Sequence, residues 1–264
     1  MEQTLKNILK DHPIVDTHAH YDDEKFSVFS DDDFKNLKNN GVDFIINNAV
    51  DLGESAKEIN RLSEQYDFFY SAFGVHPETV KADFRLDGDR LVSLLKLKKT
   101  VAVGEIGLDY YWSAEYKNLQ KDVFAEQLSI ANEHNFPVIV HDREAHGDTL
   151  DILRLYRPTG TVHCFSGSRE MARDILNIGM YIGIGGVLTF KNARKIREVA
   201  EYVPLDRILL ETDAPYMAPE PMRGKTNLSH YIVFVAEKLA EIKGISIETV
   251  LDTAYNNAKT LYKF

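Results

Sequence analysis

The stretch TVAVGEIGLDYYWSAEYKNLQKDVFAEQLSIANEHNFPVIVH, residues 100–141, decides the fold. It opens on one continuous apolar run, VAVG, and closes on another, PVIV. Runs that are apolar on both faces suit parallel strands covered from both sides. Between them Leu119, Val123, Phe124, Leu128 and Ile130 recur with a roughly helical period across Lys117–His134. Strand, helix and strand together form the repeating unit of a parallel α/β protein.

The same alternation extends outward in both directions. Strands are expected at Ile14–Thr17, Asp43–Asn47, Phe68–Phe73, Thr100–Gly104, Pro137–His141, Gly160–His163, Tyr181–Ile184 and Arg207–Glu211. Helical patterns lie between them. Phe34 and Leu37 share a face in Asp31–Asn40, with Gly41 as a C-terminal stop, and Ser168 is placed to cap a helix ending at Gly179. Asn227–Ile242 reads as the last long helix, with Ile245–Leu251 and Thr253–Tyr262 as closing helices. Eight strand–helix repeats in 264 residues, with no linker or composition shift, predict a single-domain α/β chain, 1–264. The fold expected is a (β/α)8 TIM barrel with extra C-terminal helices. An open doubly wound sheet would carry a dinucleotide loop. The nearest match, IGIGG at 182–186, lacks a full GxGxxG and a suitably spaced acidic partner.

Composition narrows the function. Hydrophobic residues at 44% and charged residues at 27% argue against disorder. A net charge of −10 argues against bulk electrostatic binding of duplex DNA, though not against gripping a few phosphates locally. The only cysteine, Cys164, excludes an internal disulfide, and no disulfide-linked partner is expected. Met1–Pro13 interleaves Glu2, Lys6, Lys10 and Asp11 with its apolar residues, and no run is long enough to span a bilayer. The expectation is a cytoplasmic protein with no membrane association. The oligomeric state is left open.

Position then gives chemistry, because barrels of this type work at the C-terminal ends of their strands. The first strand leads into His18 and His20, the fourth into Glu105, the fifth into His141, the sixth into His163 and the eighth into Asp213. His18 and His20 are two apart, so an extended backbone turns both to one face. Six ligands exceed the four of one tetrahedral ion, so two divalent ions sharing a carboxylate are expected. Glu105 emerges between the histidine groups and is the expected bridge. The assignment is His18, His20, Glu105 and Asp213 on one ion, and Glu105, His141 and His163 on the other. Nitrogen and carboxylate donors suit Zn, Mn, Fe or Co, with Mg less favoured.

Read in order, these motifs resemble the TatD family of metal-dependent deoxyribonucleases. The resemblance rests on DTHAHYDDEKF at 16–26, GVHP at 74–77, GEIGLDYY at 104–111, FPVIVHDREAHGD at 136–148, HCFSGS at 163–168, ETDAPYMAP at 211–219 and RGKTN at 223–227. It implies a TIM barrel, divalent ions on the six residues above, and hydrolysis of DNA phosphodiesters. A 3′–5′ exonuclease on single-stranded or frayed ends is the form it suggests. Glu105, where related barrels carry a modified lysine, weakens a phosphotriesterase-like reading. RGKTNLSHY departs from the usual family pattern. In this framework Asp213 orients and deprotonates the attacking water. His76 contacts a phosphate oxygen or protonates the leaving oxygen. Arg143 and Arg223 are candidates to hold phosphate, and Tyr110, Tyr111 and Trp112 to stack a base. Asp16 and Asp109 are expected to support the site rather than bind metal. The basic run Lys191, Arg194, Lys195 and Arg197 reads as a solvated helix face. The competing readings are a metal-dependent hydrolase of a small amide, ester or lactone, and a metal-binding protein without turnover.

Overall fold

The computed structural model describes residues 2–264, with side chains from Asn7 onward. Met1 and the side chains of Glu2 and Lys6, read above for an export signal, lie outside the described residues. Eight strands form one parallel sheet in sequence order: β1 (Ile14–Ala19), β2 (Val42–Asn48), β3 (Phe69–Phe73), β4 (Thr100–Asp109), β5 (Val138–Arg143), β6 (Gly160–Val162), β7 (Tyr181–Ile184) and β8 (Ile208–Leu210). The sheet curls until β8 returns to β1. Thr17 Oγ1 donates to Leu210 O at 3.0 Å, and Asp213 N and His20 N donate to His18 O and Ala214 O at 2.9 and 2.7 Å. The expected (β/α)8 TIM barrel is therefore the fold.

The helices are α1 (Glu2–Asp11), α2 (Asp31–Asn39), α3 (Glu54–Gln65), α4 (Gly88–Leu95), α5 (Lys117–His134), α6 (His146–Tyr156), α7 (Arg169–Ile178), α8 (Arg194–Tyr202), α9 (Ile232–Lys243) and α10 (Ile247–Tyr262). Their ends follow local chemistry. Ser30 and Asp33 form a reciprocal capping box on α2. Ser168 accepts from Met171 N at the start of α7, which stops at Gly179 with φ +98°. No described helix is long and apolar enough to cross a membrane.

Three boundaries differ from the sequence reading by more than two residues. β4 runs five residues past Gly104, because Gly107, Leu108 and Asp109 go on pairing with His141, Asp142 and Arg143 of β5. Gly107, at φ +147°, makes that contact possible, since a Cβ there would collide with the His141 carbonyl. The helix expected from Asn227 starts only at Ile232. The Asn227 amide instead donates to Thr212 O and Tyr216 O at 2.8 and 2.7 Å, which ties the preceding loop to β8. The two closing helices are one, α10. Val250, Leu251, Ala254, Ala258 and Leu261 carry an apolar face straight through Thr253, whose hydroxyl bonds back to Thr249 O.

The two ends of the barrel are filled differently. At the N-terminal end Val15, Phe44, Ile46, Ala72, Ile139 and Leu209 pack against Ala258, Leu261 and Tyr262 of α10. Phe264 closes over this cluster, its ring centroid 3.8 Å from that of Phe44 and 4.9 Å from that of Tyr70. At the C-terminal end the buried side chains are His18, His20, His76, Glu105, Asp109, His163 and Glu211.

Candidate metal centre

The mouth is assembled strand by strand. A register shift between Asp16 and Ala19 interrupts the β1–β2 ladder, and His18 and His20 converge so that their Nε2 atoms lie 3.0 Å apart. Asp16 turns elsewhere. Its carboxylate accepts from Thr212 Oγ1 and Ser229 Oγ, both at 2.6 Å, and from Thr212 N at 3.0 Å. It thereby pins β1 to the strand-8 loop and stays out of the histidine cluster.

Glu105 lies within β4, 2% exposed, and its two oxygens face different partners. Oε2 is 3.4 Å from His18 Nε2 and 3.3 Å from His20 Nε2. Oε1 is 2.7 Å from His141 Nδ1, 2.6 Å from His163 Nε2 and 3.5 Å from His76 Nε2. Asp213 Oδ1 stands 3.6 Å from both His18 Nε2 and His20 Nε2. His163 bridges the halves. Its ring stacks on His18 at 3.8 Å, and its Nε2 is 3.3 Å from His141 Nδ1. All six residues singled out for metal binding therefore meet in one place, and His76 joins them.

The second nitrogen of each ring decides what the first can do. His20 Nδ1 lies 2.9 Å from Asn48 O and must donate there, so that in the neutral ring Nε2 is the bare lone pair facing the cluster. His141 Nε2 lies 3.0 Å from Asp109 Oδ2 and donates there, so that in the neutral ring Nδ1 is the bare nitrogen. His76 is the reverse. Its Nδ1 accepts from Glu78 N at 3.2 Å, so Nε2 carries the proton that points into the site. His20 and His141 are thus poised as ligands and His76 as a hydrogen-bond donor.

Lone pairs and carboxylate oxygens at these separations repel one another unless positive charge sits among them. The donor set fits a divalent cation. Ligands about 2.0–2.2 Å from a tetrahedral ion stand about 3.3–3.6 Å apart, close to the spacing of His18, His20, Glu105 and Asp213. The titration behaviour reflects the same field. Burial disfavours charge on His20 and His141, yet the Glu105 carboxylate, with Asp213 beside His20 and Asp109 beside His141, lifts them to about 9 and about 10. Burial also opposes ionisation of Glu105, but His163, His76 and His18 hold its carboxyl well below the usual range. Burial raises Asp213, partly offset by His163 and His20.

The cluster opens into a cavity of about 1050 Å³. Arg143 and Trp112 line one side of it, and Tyr216 and Met217 the strand-8 side. The wall from the loops after β1 and β3 and the start of α3 is acidic, with Asp22, Asp23, Glu54, Glu58 and Glu78. Arg143 stacks on Tyr111 at 4.3 Å and forms no ion pair among the described residues, leaving its charge available. Arg223 lies against Phe190, 3.9 Å from the ring centroid, and is not part of the cavity lining. Tyr110 turns toward α6, where its hydroxyl bonds Asp148 at 2.5 Å. Of the aromatic run, Trp112 is the residue that lines the cavity.

Glu211 was not singled out as a site residue. It is fully buried behind the cluster, accepts from Cys164 N, and has Oε1 3.8 Å from His163 Nδ1. The signal was in IGIGG. A Cβ on Gly183 would collide with the Glu211 carboxylate, and one on Gly185 would crowd its chain, so this pair makes room for a buried acid.

Comparison with known proteins agrees with this geometry. A family model described as TatD related DNase matches residues 15–263. An uncharacterized metal-dependent hydrolase of Bacillus subtilis, YabD, is 37% identical, covering 95% of this chain and 99% of its own. A second, YcfH of Escherichia coli, is 38% identical over 94% of this chain and 95% of its own. The crystal structure of YjjV, a TatD homologue from Escherichia coli, superposes with a TM-score of 0.87 at 32% identity, covering 95% of this chain and 98% of that one. A barrel whose strand ends gather five histidines around a buried glutamate, matched along nearly its whole length by these relatives, belongs to the TatD family of metal-dependent hydrolases.

Proposed function

We propose that the chain is a deoxyribonuclease, hydrolysing phosphodiester bonds at single-stranded or frayed DNA ends with two divalent ions. His18, His20, Glu105 and Asp213 hold one ion; Glu105, His141 and His163 hold the other. The observation that carries the nuclease reading is the pairing of two groups beside the cluster. The His76 Nε2–H points into the site, and the unpaired Arg143 guanidinium stands at its rim. Both are donors that a phosphodiester uses and an amide or lactone does not require. The description of the matching family supports the same substrate.

Divalent ions held by these residues would lower the pKa of water and polarise a phosphoryl oxygen. Asp213, beside the His18 and His20 nitrogens, accepts the proton of the attacking water. His76 donates to a phosphate oxygen or to the departing oxygen. Arg143 holds the adjoining phosphate, and Asp109 keeps His141 oriented. The acidic wall of Asp22, Glu54, Glu58 and Glu78 repels a strand running across the whole mouth, which favours an end entering from the Arg143 side. The 3′–5′ direction follows the family resemblance.

The acidic wall is also the observation that favours the second reading, a hydrolase of a small amide, ester or lactone, because such a substrate brings no phosphates to repel. Product sizing separates the two. After reconstitution with Mn or Mg, end-labelled single strands are expected to shorten from one end, with slower loss of blunt duplex. Hydrolysis of an ester and amide panel, with intact oligonucleotides, would overturn the nuclease reading.

A further inference from the structure

We infer that Trp112 is a stacking subsite for the nucleobase next to the scissile phosphodiester, an assignment that rests on the nuclease reading above. Trp112 is 61% exposed and Tyr111 52%, which is unusual exposure for large apolar side chains at a cavity rim. They are nonetheless held firmly. Asp109 Oδ1 accepts from Tyr111 N at 2.9 Å and Trp112 N at 2.8 Å. The Gln120 amide closes the same loop onto Asp109 N, Asp109 O and Ser113 O. The other oxygen of Asp109 holds His141. One carboxylate therefore fixes the aromatic platform and the metal-facing histidine in register.

The surroundings indicate what the ring meets. Tyr111 packs edge-on against Trp112 with centroids 4.6 Å apart. The Arg143 guanidinium lies 4.3 Å from the Tyr111 ring and 5.5 Å from that of Trp112. A cation next to an exposed indole matches a phosphate and its attached base. Across the cavity, on the side of β8, Tyr216 is 47% exposed and likewise pinned. Its hydroxyl donates to Asp23 at 2.6 Å, and the Lys25 ammonium lies 4.3 Å from its ring centroid. With the β1–β3 side acidic, a polyanion's phosphates lie toward Arg143 and its bases toward Trp112.

Trp112 is the only tryptophan in the chain, so its emission reports this contact directly. The metal-loaded protein is titrated with a single-stranded phosphorothioate oligonucleotide and with an abasic strand of equal phosphate number. Quenching by the first and not by the second is expected. Trp112→Ala is expected to raise the KM for a cleavable strand about 10- to 100-fold, and Trp112→Phe to keep most of the affinity. Cleavage without base-dependent quenching overturns the subsite and spares the nuclease reading. Base-dependent quenching without cleavage overturns the nuclease reading, and with it the placement beside a scissile bond, leaving Trp112 as a base-stacking contact only. An unchanged KM in Trp112→Ala overturns the subsite as well.

Discussion

The two ends of this barrel are made from the same eight strands and are opposite in chemistry. The N-terminal end is an apolar plug in which Phe44, Tyr70 and Phe264 pack against one another and against Tyr262 at the end of α10. The C-terminal end gathers five histidines, four of them buried, and several carboxylates around Glu105. Packing at the first end lowers the free energy of the folded chain. Convergence of like donors at the second raises it until a cation is bound. Stability and activity are thus placed at different ends of the molecule, and substitutions should separate them.

The largest effect should come from the mouth. Glu105→Ala removes the carboxylate that faces both histidine groups, whereas Asp213 reaches only His18 and His20. Turnover is expected to fall by at least about 1000-fold. Metal analysis should show bound ions lost while circular dichroism keeps the fold. Full metal content and rate would break the proposed division of labour.

The matching change at the other end is Phe44→Ala. Phe44 is 4% exposed and touches Tyr70, Tyr255 and Phe264. About 3–5 kcal/mol of stability should be lost, read by denaturant unfolding. Metal stoichiometry and KM, measured well below the melting temperature, should not change. A parallel loss of metal would show that the two ends are coupled.

A smaller effect sharpens the comparison within the mouth. Asp109→Asn keeps the shape but weakens the charge that holds His141 Nε2. Metal affinity should fall about 10- to 100-fold, measured by competition with a chelator. An unaltered affinity would reduce Asp109 to a loop anchor.

Acid provides the mildest probe. His230 sits on the turn beside Ser229, and burial depresses it to about 4. The unfolded imidazole titrates near its ordinary value of 6.5. Between those values the unfolded chain binds the extra proton, so stability is complete above the higher value and declines as pH falls toward the lower. His230→Leu should remove this dependence. The stability difference between wild type and variant should shift by about 2 kcal/mol between pH 7.5 and pH 5. A pH-independent difference would mean that His230 takes up its proton without loss.

Much of this arrangement was legible in the sequence because barrel folds tie function to strand ends. His18, His20, Glu105, His141, His163 and Asp213 each follow an apolar run, and the strand order alone brings them together. The relations that cross the barrel were not legible. Glu211 behind His163 depends on Gly183 and Gly185, at and just beyond the end of the neighbouring strand β7, and the IGIGG run shows small residues without showing which side chain fills the space they leave. The lone-pair directions of His20, His76 and His141 depend on Asn48 O, Glu78 N and Asp109, contacts that the rings make only in the folded molecule. Choosing Trp112 over Tyr110 as the cavity-facing ring needed the loop geometry, since both sit in one aromatic run.

The central claim is that Glu105 stands between two cation positions. Anomalous diffraction from manganese-soaked crystals tests it most directly. The account expects two peaks per chain, one beside Glu105 Oε2 near His18, His20 and Asp213, the other beside Oε1 near His141 and His163. A single peak, or manganese bound away from Glu105, would contradict it.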